Sequence, residues 1–517
     1  MDVSMFTATT VENSSYYDSV VLMRVASQLK KQEGVSEVAL FMGTQGNHDL
    51  LNQVGLATRE SRDAGPEDLI IIVKADSKKL TGSITSEAVQ MLASRRETVQ
   101  ATLEYRPRTL ERALGYLPKA SLASISIPGE YAAREASRCL DRNLNVFLFS
   151  DNVSLKDELK LKMSALDRGL LCMGPDCGTA SLGGVGLGFI NRVSRGRVGC
   201  VAASGTGLQA VMCRIDQLGE GVSHAIGVGG RDLSKEVGGI MSRHALHLLD
   251  EDPSTEIIIL LSKPPHPEVR ERLDETIKKL QTKVIVYFQG DMPAPDGEDR
   301  AETLDGAAEL AVSHLNNEPY TPEPFENPGQ VKQLLERMGS MAKGHRIVGL
   351  YTGGTLAKEA QLLIHAQAGV VSNNIDDEHK HIVVDLGEDE YTVGKPHPMI
   401  APENRTEVLI DLAARGKQIN SALQLFDQVL GDGSHLDPAS ELAAGLELLN
   451  ERYGISIPVV AAVIGTEKDP QSMNDQIKLL KESGAAVFVK NSESARFSAI
   501  LADPAGRANL LEVSDGL

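Results

Sequence analysis

Short, uninterrupted hydrophobic runs alternate along this chain with longer segments of mixed polarity. One aliphatic run, Ile257-Ile258-Ile259-Leu260-Leu261, is followed by a segment of helical spacing at 267–280. Continuous apolar runs are typical of strands in parallel sheets, because helices cover both faces of such sheets. The pattern predicts strands at 37–42, 68–73, 122–127, 145–149, 197–202, 224–228, 256–261, 283–288, 346–351, 381–386, 422–426, 458–464 and 486–489. It therefore predicts an α/β protein with several doubly wound sheets.

Two breaks in this alternation divide the chain. Residues 315–329 read LNNEPYTPEPFENPG, with four prolines and few aliphatic residues, so we predict a linker at 316–327. A softer break lies at 191–197, between a glycine-rich stretch and a new strand. The predicted domains are 1–193, 194–315 and 328–517. Three domains in 517 residues agree with the usual size of about 150 residues per domain.

Composition narrows the classes of ligand. The chain has 52 basic and 71 acidic residues, a formal net charge of −19, and only 4% aromatic residues with no Trp. Nucleic acids are not expected as ligands, because their phosphates need basic stripes and their bases need aromatic platforms. The apolar runs are shorter than a membrane span and the first residues show no targeting pattern, so we expect a cytoplasmic protein without a membrane partner. Five cysteines without CxxC spacing favour neither disulfides nor zinc, and no metal site is predicted.

Three strand-to-helix junctions have the composition of an anion site. They read VAASGTG at 201–207, LYTGGTL at 350–356 and GTEKDP at 465–470. Glycines let the backbone approach a ligand, hydroxyls add donors, and the free N–H groups and dipole of a helix N-terminus favour negative charge. The alternative is a set of N-caps and tight turns without a ligand. The first two junctions lack a GK[ST] ending, so a nucleotide-binding P-loop is not expected.

Other loops at strand ends carry charged or nucleophilic groups. The turn GVGGRD presents Arg231 and Asp232, either toward a ligand or as a surface ion pair. Cys177 in MGPDCGT has no base identifiable by spacing, so a buried structural thiol is favoured over a nucleophile. Lys263 follows the most apolar strand, where a cation suits an anionic ligand but is equally explained as a solvated lysine.

The order of these motifs resembles a known family. Residues 121–288 resemble the α subunit of succinyl-CoA synthetase, and those from 346 onward resemble the carboxy-terminal domain of its β subunit. Over nearly the full chain, GEYAAREA, LFSDNVSL, GPDCGTA, ASGTG, GGRDLS, SKPP, YTGGTL, YTVGKPHPMI and GTEKDP stand in the order seen in the FdrA family. The resemblance implies a Rossmann-like CoA-binding-type domain at 1–193 and two flavodoxin-like domains of the synthetase type at 194–315 and 328–517.

The chain departs from the synthetases at the positions that carry their chemistry. Their phosphorylated histidine has no counterpart in QGDMPAPDGEDRAETLDGAAEL at 289–310, and Lys263 in SKPP stands where they have a glutamate. Only the linker 316–327 separates the two halves, so no ATP-grasp domain is expected. The glycine-rich CoA loop is reduced to Gly43 and Gly46. These departures imply that the chain does not run the synthetase cycle by itself.

The resemblance also implies a function. FdrA-like proteins resemble one component of the heteromeric oxamate carbamoyltransferase of allantoin breakdown, and a substrate that already carries a phosphate dianion explains both departures. The chain is then a transferase subunit that moves a carbamoyl group between carbamoyl phosphate (or phosphate) and a small amide such as oxamate, together with companion subunits or further copies of itself. One alternative is an acyl-CoA synthetase that binds CoA. Another is a non-catalytic subunit that binds phosphate or an acyl anion. No cofactor is expected except CoA under the first alternative.

The implied site residues fall into three groups. The catalytic group is Lys263, Arg231 and Thr206. The phosphate-binding group is Ser204, Gly205, Thr206, Gly207, Thr352, Gly353, Gly354 and Thr355. The substrate-binding group is Asn152, Pro175, Asp176, Cys177, Gly229, Gly230 and Asp232. Whether a divalent metal joins the phosphate is left open, with Asp232 and Asp385 as its candidate ligands.

Overall fold

The computed structural model describes residues 5–503 except 16, 18, 31, 45–46, 49–50, 53–54, 101–106, 292–298, 340–345, 393–394 and 416–421. The chain divides into two compact units. The first consists of Met1–Tyr116 with Glu388–Asn404, and the second of Leu117–Gly387 with Arg405–Leu517. Within the described ranges, we find no helix with the length and apolarity needed to cross a membrane.

The first unit is built on a three-stranded antiparallel sheet in the order β1-β3-β2. One face of β3 packs against the cluster that contains Leu22, Val25 and Leu29 of α1, and its other face packs against Leu51. The elements of this unit are β1 (Phe6–Glu12), α1 (Ser19–Lys30), β2 (Val35–Met42), α2 (Arg59–Arg62), β3 (Leu69–Ala75), α3 (Lys78–Gln100) and α4 (Leu110–Tyr116), with a short helical segment at Asp389–Thr392.

The prediction of a Rossmann-like domain at 1–193 is wrong for the residues of this first unit. The predicted strands at 37–42 and 68–73 are present as β2 and β3, but they pair with each other in antiparallel register, with Leu40 opposite Ile71. Apolar clusters cover both faces of β3. Its sequence is therefore a continuous apolar run, the pattern that is usual for parallel strands, although β3 is antiparallel. Gly46 of the predicted CoA loop lies outside the described residues.

A small Rossmann-like region begins the second unit. Strands β4 (Leu122–Ile125), β5 (Asn145–Leu148) and β6 (Cys172–Met173) form a parallel sheet, and helices α5 (Gly129–Leu140) and α6 (Leu155–Asp167) lie in its two crossovers. The carboxyl ends of parallel strands share one edge of a sheet. The loops that follow β5 and β6, which contain the predicted Asn152 and Pro175, therefore lie on the same side.

A six-stranded sheet follows, in the order β12-β11-β9-β10-β7-β8. Its strands are β7 (Thr179–Leu182), β8 (Val185–Gly188), β9 (Val198–Ala203), β10 (Val222–Gly227), β11 (Ile257–Ser262) and β12 (Lys283–Phe288), and its helices are α7 (Gly205–Gln217), α8 (Ile240–Asp250), α9 (Pro267–Ile277) and α10 (Leu304–Asn316). Strands β9 to β12 pair in parallel, whereas β7 and β8 form an antiparallel hairpin at the edge. The predicted boundary at 193 falls after this hairpin, although the hairpin belongs to the same sheet as the strands that follow.

The last sheet has six parallel strands in the order β14-β15-β13-β16-β17-β18. They are β13 (Arg346–Tyr351), β14 (Val371–Ser372), β15 (His381–Asp385), β16 (Ala422–Val429), β17 (Val459–Ile464) and β18 (Ala486–Phe488), with helices α11 (Pro328–Gly339), α12 (Gly354–Ala368), α13 (Glu403–Ala414), α14 (Pro438–Tyr453), α15 (Met473–Glu482) and α16 (Asn491–Ala502). Residues 317–327, at the position of the predicted linker, contain no helix or strand. The predicted α/β class with parallel sheets is confirmed.

Candidate anion site at two helix N-termini

Two helices of the second unit begin at the first two predicted junctions. Helix α7 follows β9 and α12 follows β13, so each starts at the carboxyl end of a strand inside its sheet, where doubly wound proteins bind ligands. Ser204 caps α7, because its Oγ accepts a hydrogen bond from the N–H of Gly207 at 3.1 Å. The same Oγ lies 2.6 Å from Oγ1 of Thr355 in the first turn of α12. The structure thus joins two loops that lie 151 residues apart in sequence.

The first residues of the two helices are also packed against each other. A Cβ atom on Gly353 would lie 2.7 Å from Oγ1 and 2.8 Å from Cβ of Thr206, so a side chain at position 353 would push the two loops apart. Gly353 therefore permits an approach that a larger residue would prevent.

Backbone N–H groups without a hydrogen-bond acceptor among the described residues lie at the place where the two helices begin. The first N–H groups of a helix have no intrahelical acceptor. The N–H of Gly207 is used by the cap, but those of Gly205 and Thr206 on α7, and of Gly354 and Thr355 on α12, have no acceptor in the described ranges. Together with two helix dipoles, they can bind an anion. Because the hydroxyls of Ser204 and Thr355 bond each other, we infer that an anion would lie against these N–H groups rather than between the two oxygens.

The prediction that Thr352 binds phosphate needs correction. The N–H of Thr352 donates to Oδ1 of Asp427 at 2.7 Å, and its Oγ1 lies 3.1 Å from each carboxylate oxygen. Both donors of Thr352 are therefore used inside the protein. Asp427 in turn has Arg405 as its partner, with 3.6 Å between Nη1 and Oδ1. No role was predicted from the sequence for Asp427 or Arg405. An aspartate inside the apolar strand ALQLFDQV could have indicated that Asp427 has a buried partner.

Lys263 lies at the same edge of the sheet as the start of α7. The residue before it, Ser262, ends β11 and pairs with Ala203, which precedes Ser204. The side chain of Lys263 is exposed and has no ion-pair partner in the part of the chain that the structure describes. Its charge is therefore available to an anion at the mouth of the site.

Arg231 is held away from such a role. Its Nη2 lies 2.9 Å from Oε2 of Glu158 and donates to the carbonyl of Val153 at 2.8 Å. Because Glu158 already neutralises Arg231, its predicted catalytic role is not supported by this geometry.

Asp232 is a structural residue rather than a substrate or metal ligand. Its buried carboxylate accepts hydrogen bonds from Nζ of Lys162 at 2.8 Å and from the N–H and Oγ of Ser242 at 2.9 and 2.7 Å. Lys162 is fully buried and also donates to Glu158 at 2.8 Å and to the carbonyl of Val228 at 2.9 Å. The carboxylate is fully engaged, so the prediction of Asp232 as a ligand is corrected: it fixes the turn after β10.

Asp385, the other candidate metal ligand, stands beside the start of α12. A Cβ atom on Gly354 would lie 2.6 Å from Oδ2 of Asp385, and Oδ1 accepts the N–H of Gly387 at 2.8 Å. Among the described residues, no group of three or more histidine, cysteine and carboxylate side chains could hold a metal ion. The structure therefore adds no further protein ligand to Asp385.

The remaining predicted substrate-binding residues lie on neighbouring loops. A Cβ atom on Gly229, whose φ is +85°, would lie 2.4 Å from the carbonyl oxygen of Pro175, so the turn after β10 rests directly on the loop after β6. The N–H of Asp176 donates to the carbonyl of Ser150, which follows β5. The loops that carry Asn152, Pro175, Asp176, Gly229 and Gly230 therefore meet in one region of the second unit.

Cys177 lies in this region as a buried thiol. All five cysteines are buried and free. Burial raises the pKa of the Cys177 thiol to about 12. A thiol that stays protonated at neutral pH is a poor nucleophile, which agrees with the interpretation of Cys177 as a structural thiol.

At the third predicted junction, 465–470, the carboxylate of Asp469 takes the place that a ligand would have. Asp469 accepts hydrogen bonds from the N–H of Thr466 at 2.8 Å, from the N–H of Arg192 at 2.7 Å and from Nδ2 of Asn191 at 2.8 Å. A carboxylate of the protein occupies these donors, so this loop is a turn without a ligand, the alternative left open by its sequence.

We expect a buried glutamate on α12 to make the stability of the protein depend on pH. Glu359 accepts hydrogen bonds from the N–H of Leu304 and from Nδ2 of Asn491, both at 2.8 Å. Burial and the nearby Asp305 raise the pKa of Glu359 from 4.5 to about 7. Between these two values the unfolded chain has lost the proton and the folded chain keeps it. Stability from this group is therefore complete below about pH 4.5 and is lost as the pH rises to about 7.

We expect Glu359→Gln to flatten the fall in stability over that pH range. The glutamine cannot ionise, so the variant should equal the wild type near pH 4.5 and exceed it above pH 7. Urea midpoints at several pH values measure this difference. Glu482→Gln, at an exposed position, is the control and should follow the wild-type curve. A Glu359→Gln curve parallel to that of the wild type would contradict the assignment.

Comparisons with known proteins agree with this architecture. Residues 193–290 match a family model for a CoA binding domain, and residues 350–501 match one for CoA-ligase. The α subunit of an ADP-forming succinate–CoA ligase from Aquifex aeolicus is 27% identical over 184 residues, which cover 34% of this chain and 59% of that subunit. The second unit is therefore of the succinyl-CoA synthetase-like class.

A full-length relative defines the family more narrowly. The uncharacterized protein YahF of Escherichia coli K12 is 36% identical over 495 residues, which cover 92% of this chain and 94% of YahF. Residues 5–107 match a family model described as AllF, heavy metal-associated domain. The chain belongs to the succinyl-CoA synthetase-like FdrA/AllF family.

Solved structures of similar proteins were also found. The apo dinucleotide-forming acetyl-coenzyme A synthetase 1 of Ca. Korarchaeum cryptofilum is 16% identical, with a TM-score of 0.29, covering 76% of this chain and 85% of that one. The ATP citrate lyase of Methanothrix soehngenii, in complex with citrate and coenzyme A, is 12% identical with a TM-score of 0.34, covering 79% and 85%.

The name of the amino-terminal family model raises the question of a heavy metal. Soft metal ions prefer thiolate ligands, and residues 5–107 contain no cysteine. The ring of His48 is hydrogen bonded to the carbonyl of Ala64 at 2.9 Å. Among the described residues of this domain, no group of three or more histidine, cysteine and carboxylate side chains could hold a metal ion. These residues therefore do not fit a heavy-metal site.

Proposed function

We propose that this protein is the FdrA-type subunit of a carbamoyltransferase that exchanges a carbamoyl group between carbamoyl phosphate and a small amide such as oxamate. The observation that carries the proposal is the pair of helix N-termini at Ser204 and Gly353, with unused N–H groups on both helices and the exposed Lys263 beside them. A phosphate dianion is the kind of ligand that such donors bind. Membership of the FdrA/AllF family and the match to an AllF domain support the same substrate class.

The chemistry needs no nucleophile from the protein. In the phosphorolytic direction, an oxygen of hydrogen phosphate attacks the carbamoyl carbon, the bond from that carbon to the amide nitrogen breaks, and the nitrogen takes up the proton that the hydrogen phosphate loses. The protein contributes position and electrostatic stabilisation. The N–H groups of Thr206 and Thr355 and the hydroxyl of Thr206 would hold the phosphate, and Lys263 would stabilise its charge. This division of labour agrees with the absence of a histidine in the sequence 289–310.

A second candidate is a CoA-dependent ligase component. The matches to the CoA binding and CoA-ligase models favour it, as does a 28% identity over 185 residues to an ADP-forming sulfoacetate-CoA ligase subunit of Bilophila wadsworthia. CoA would then lie against the loops that contain Asn152, Pro175 and Gly229. A subunit that binds phosphate or an acyl anion without turnover is the third candidate.

Calorimetry with the full chain separates these functions. Carbamoyl phosphate, inorganic phosphate, CoA and ATP are titrated in parallel. We expect saturable binding of carbamoyl phosphate and of phosphate, and none of ATP. Tight CoA binding with ATP-dependent thioester formation after addition of companion subunits would replace the first proposal by the second. Phosphate binding with no turnover in the assembled complex would favour the third.

A further inference from the structure

A buried ion pair lies directly behind the anion site. Asp427 on β16 is completely buried, and Arg405, 2% exposed, lies 3.6 Å from its carboxylate. The guanidinium carbon of Arg405 also lies 5.1 Å from the ring centroid of Phe426. Buried ion pairs contribute little net stability, because desolvation offsets their attraction. The pair therefore calls for an explanation other than stability.

The contacts of Asp427 lead to the start of α12. Its carboxylate accepts both the N–H and the hydroxyl of Thr352. Thr352 is followed by Gly353, which caps α12 without a side chain, and then by the two residues whose N–H groups form half of the anion site. Asp427 is thus the side chain that fixes the backbone entering this helix.

The charge of Asp427 also bears on a bound anion. Burial raises the pKa of Asp427 to about 6, despite the opposing effects of Arg405 and Thr352. The charged and titratable groups that face it are Arg405 on α13, Tyr351 at the end of β13 and Asp385 at the end of β15. A dianion at the start of α12 adds a further like charge, which disfavours the ionised carboxylate. Binding of an anion and protonation of Asp427 are therefore linked.

We propose that Asp427 is a positioning residue for the anion site. Through Thr352 it orients the first turn of α12, and the loss of its charge on protonation strengthens the binding of a dianion. Arg405 donates a hydrogen bond to the main-chain carbonyl of Asp427 and keeps a positive charge 3.6 Å from its carboxylate. This inference rests on the proposed anion site, and it assigns a role to two residues outside the groups that contact the anion.

Sulfate is the probe for this role, because it remains a dianion across the range tested and adds no titration of its own. Its affinity for the full chain is measured by calorimetry from about pH 5 to pH 8. In the wild type we expect affinity to fall at least about tenfold over that range. Asp427→Asn keeps an acceptor for Thr352 but cannot ionise, so its affinity should be nearly independent of pH and should exceed that of the wild type at pH 8. Asp427→Ala removes the acceptor and should weaken binding at every pH.

The control is Asp469→Asn, a buried carboxylate that fixes the loop at Thr466, and it should keep the wild-type pH profile. An Asp427→Asn profile parallel to that of the wild type would overturn the inference while leaving the anion site intact. Failure of the wild type to bind sulfate at any pH would overturn the site and this inference together. Circular dichroism shows whether Asp427→Ala folds, and if it does not, the asparagine variant alone decides.

Discussion

Thr206→Ala and Lys263→Ala should each lower the rate of phosphorolysis of a carbamoyl amide by about 100- to 1000-fold in the assembled complex. Thr206 lies in the first turn of α7, and its Oγ1 lies 2.7 Å from the place where a Cβ atom on Gly353 would stand, so its hydroxyl is at the junction of the two helices. Lys263 adds a positive charge at the same edge. In the proposed mechanism, both groups act on the charge that develops during transfer, so we expect their loss to reduce kcat as well as substrate affinity.

Two further variants serve as controls. Thr206→Ser retains a hydroxyl and should keep most of the activity. Lys279→Ala removes an exposed lysine after α9, outside the two helix N-termini, and should have the wild-type rate. Initial rates with inorganic phosphate and the carbamoyl amide measure all four variants. Wild-type rates in both Thr206→Ala and Lys263→Ala would contradict the site.

Lys162→Met should lower the free energy of unfolding by about 3–5 kcal/mol. Lys162 has no exposed surface and donates hydrogen bonds to Glu158 and Asp232, both at 2.8 Å. Methionine fills a similar volume but leaves two buried carboxylates without their shared cation. Arg231 still contacts Glu158 and offsets part of that loss. Urea unfolding followed by circular dichroism measures the change.

The matched control for this prediction lies on the same helix. Lys160 is 65% exposed and its Nζ lies 3.6 Å from the carboxylate of Asp157. Lys160→Met should change the free energy of unfolding by less than about 0.5 kcal/mol, as is usual for surface substitutions. If the two substitutions changed the free energy of unfolding equally, the buried cluster of Lys162, Glu158 and Asp232 would contribute no more to stability than a surface ion pair.

The parallel strands of the second unit were predictable because most are apolar on both faces. Strands β12 and β13 agree with the predicted bounds at 283–288 and 346–351. The junctions at Ser204 and Gly353 were also predictable. When glycine and serine or threonine residues stand between a strand and a helix, the connecting loop has few alternative conformations. Their meeting in space was implied only by the family resemblance.

The remaining features depend on partners that a linear pattern does not reveal. The edge strand β8 has the sequence VGLG, which does not by itself indicate a strand, and it is a strand because it pairs with β7. The pairs Lys162–Asp232 and Asp427–Thr352 join residues 70 and 75 positions apart. Arg231 is a further example, because its glycine-rich turn allowed either a ligand or an ion pair, and tertiary packing places it beside Glu158.

The acidity of the chain is compatible with an anionic substrate. A net charge of −19 argues against an extended basic surface but not against a local site. In the proposed site, the N–H groups of two helices and one lysine would supply a positive field at a single point. Local donors, rather than the total charge, would then decide which ligand binds.

A crystal structure of the protein with carbamoyl phosphate would show directly whether both helices hold the phosphate. We expect the phosphate within about 2.7–3.2 Å of backbone nitrogen atoms from both helices, those of Gly205 or Thr206 and those of Gly354 or Thr355. We also expect the ammonium group of Lys263 to be turned toward the same phosphate. A phosphate bound at one helix alone, or elsewhere in the protein, would contradict the proposed site.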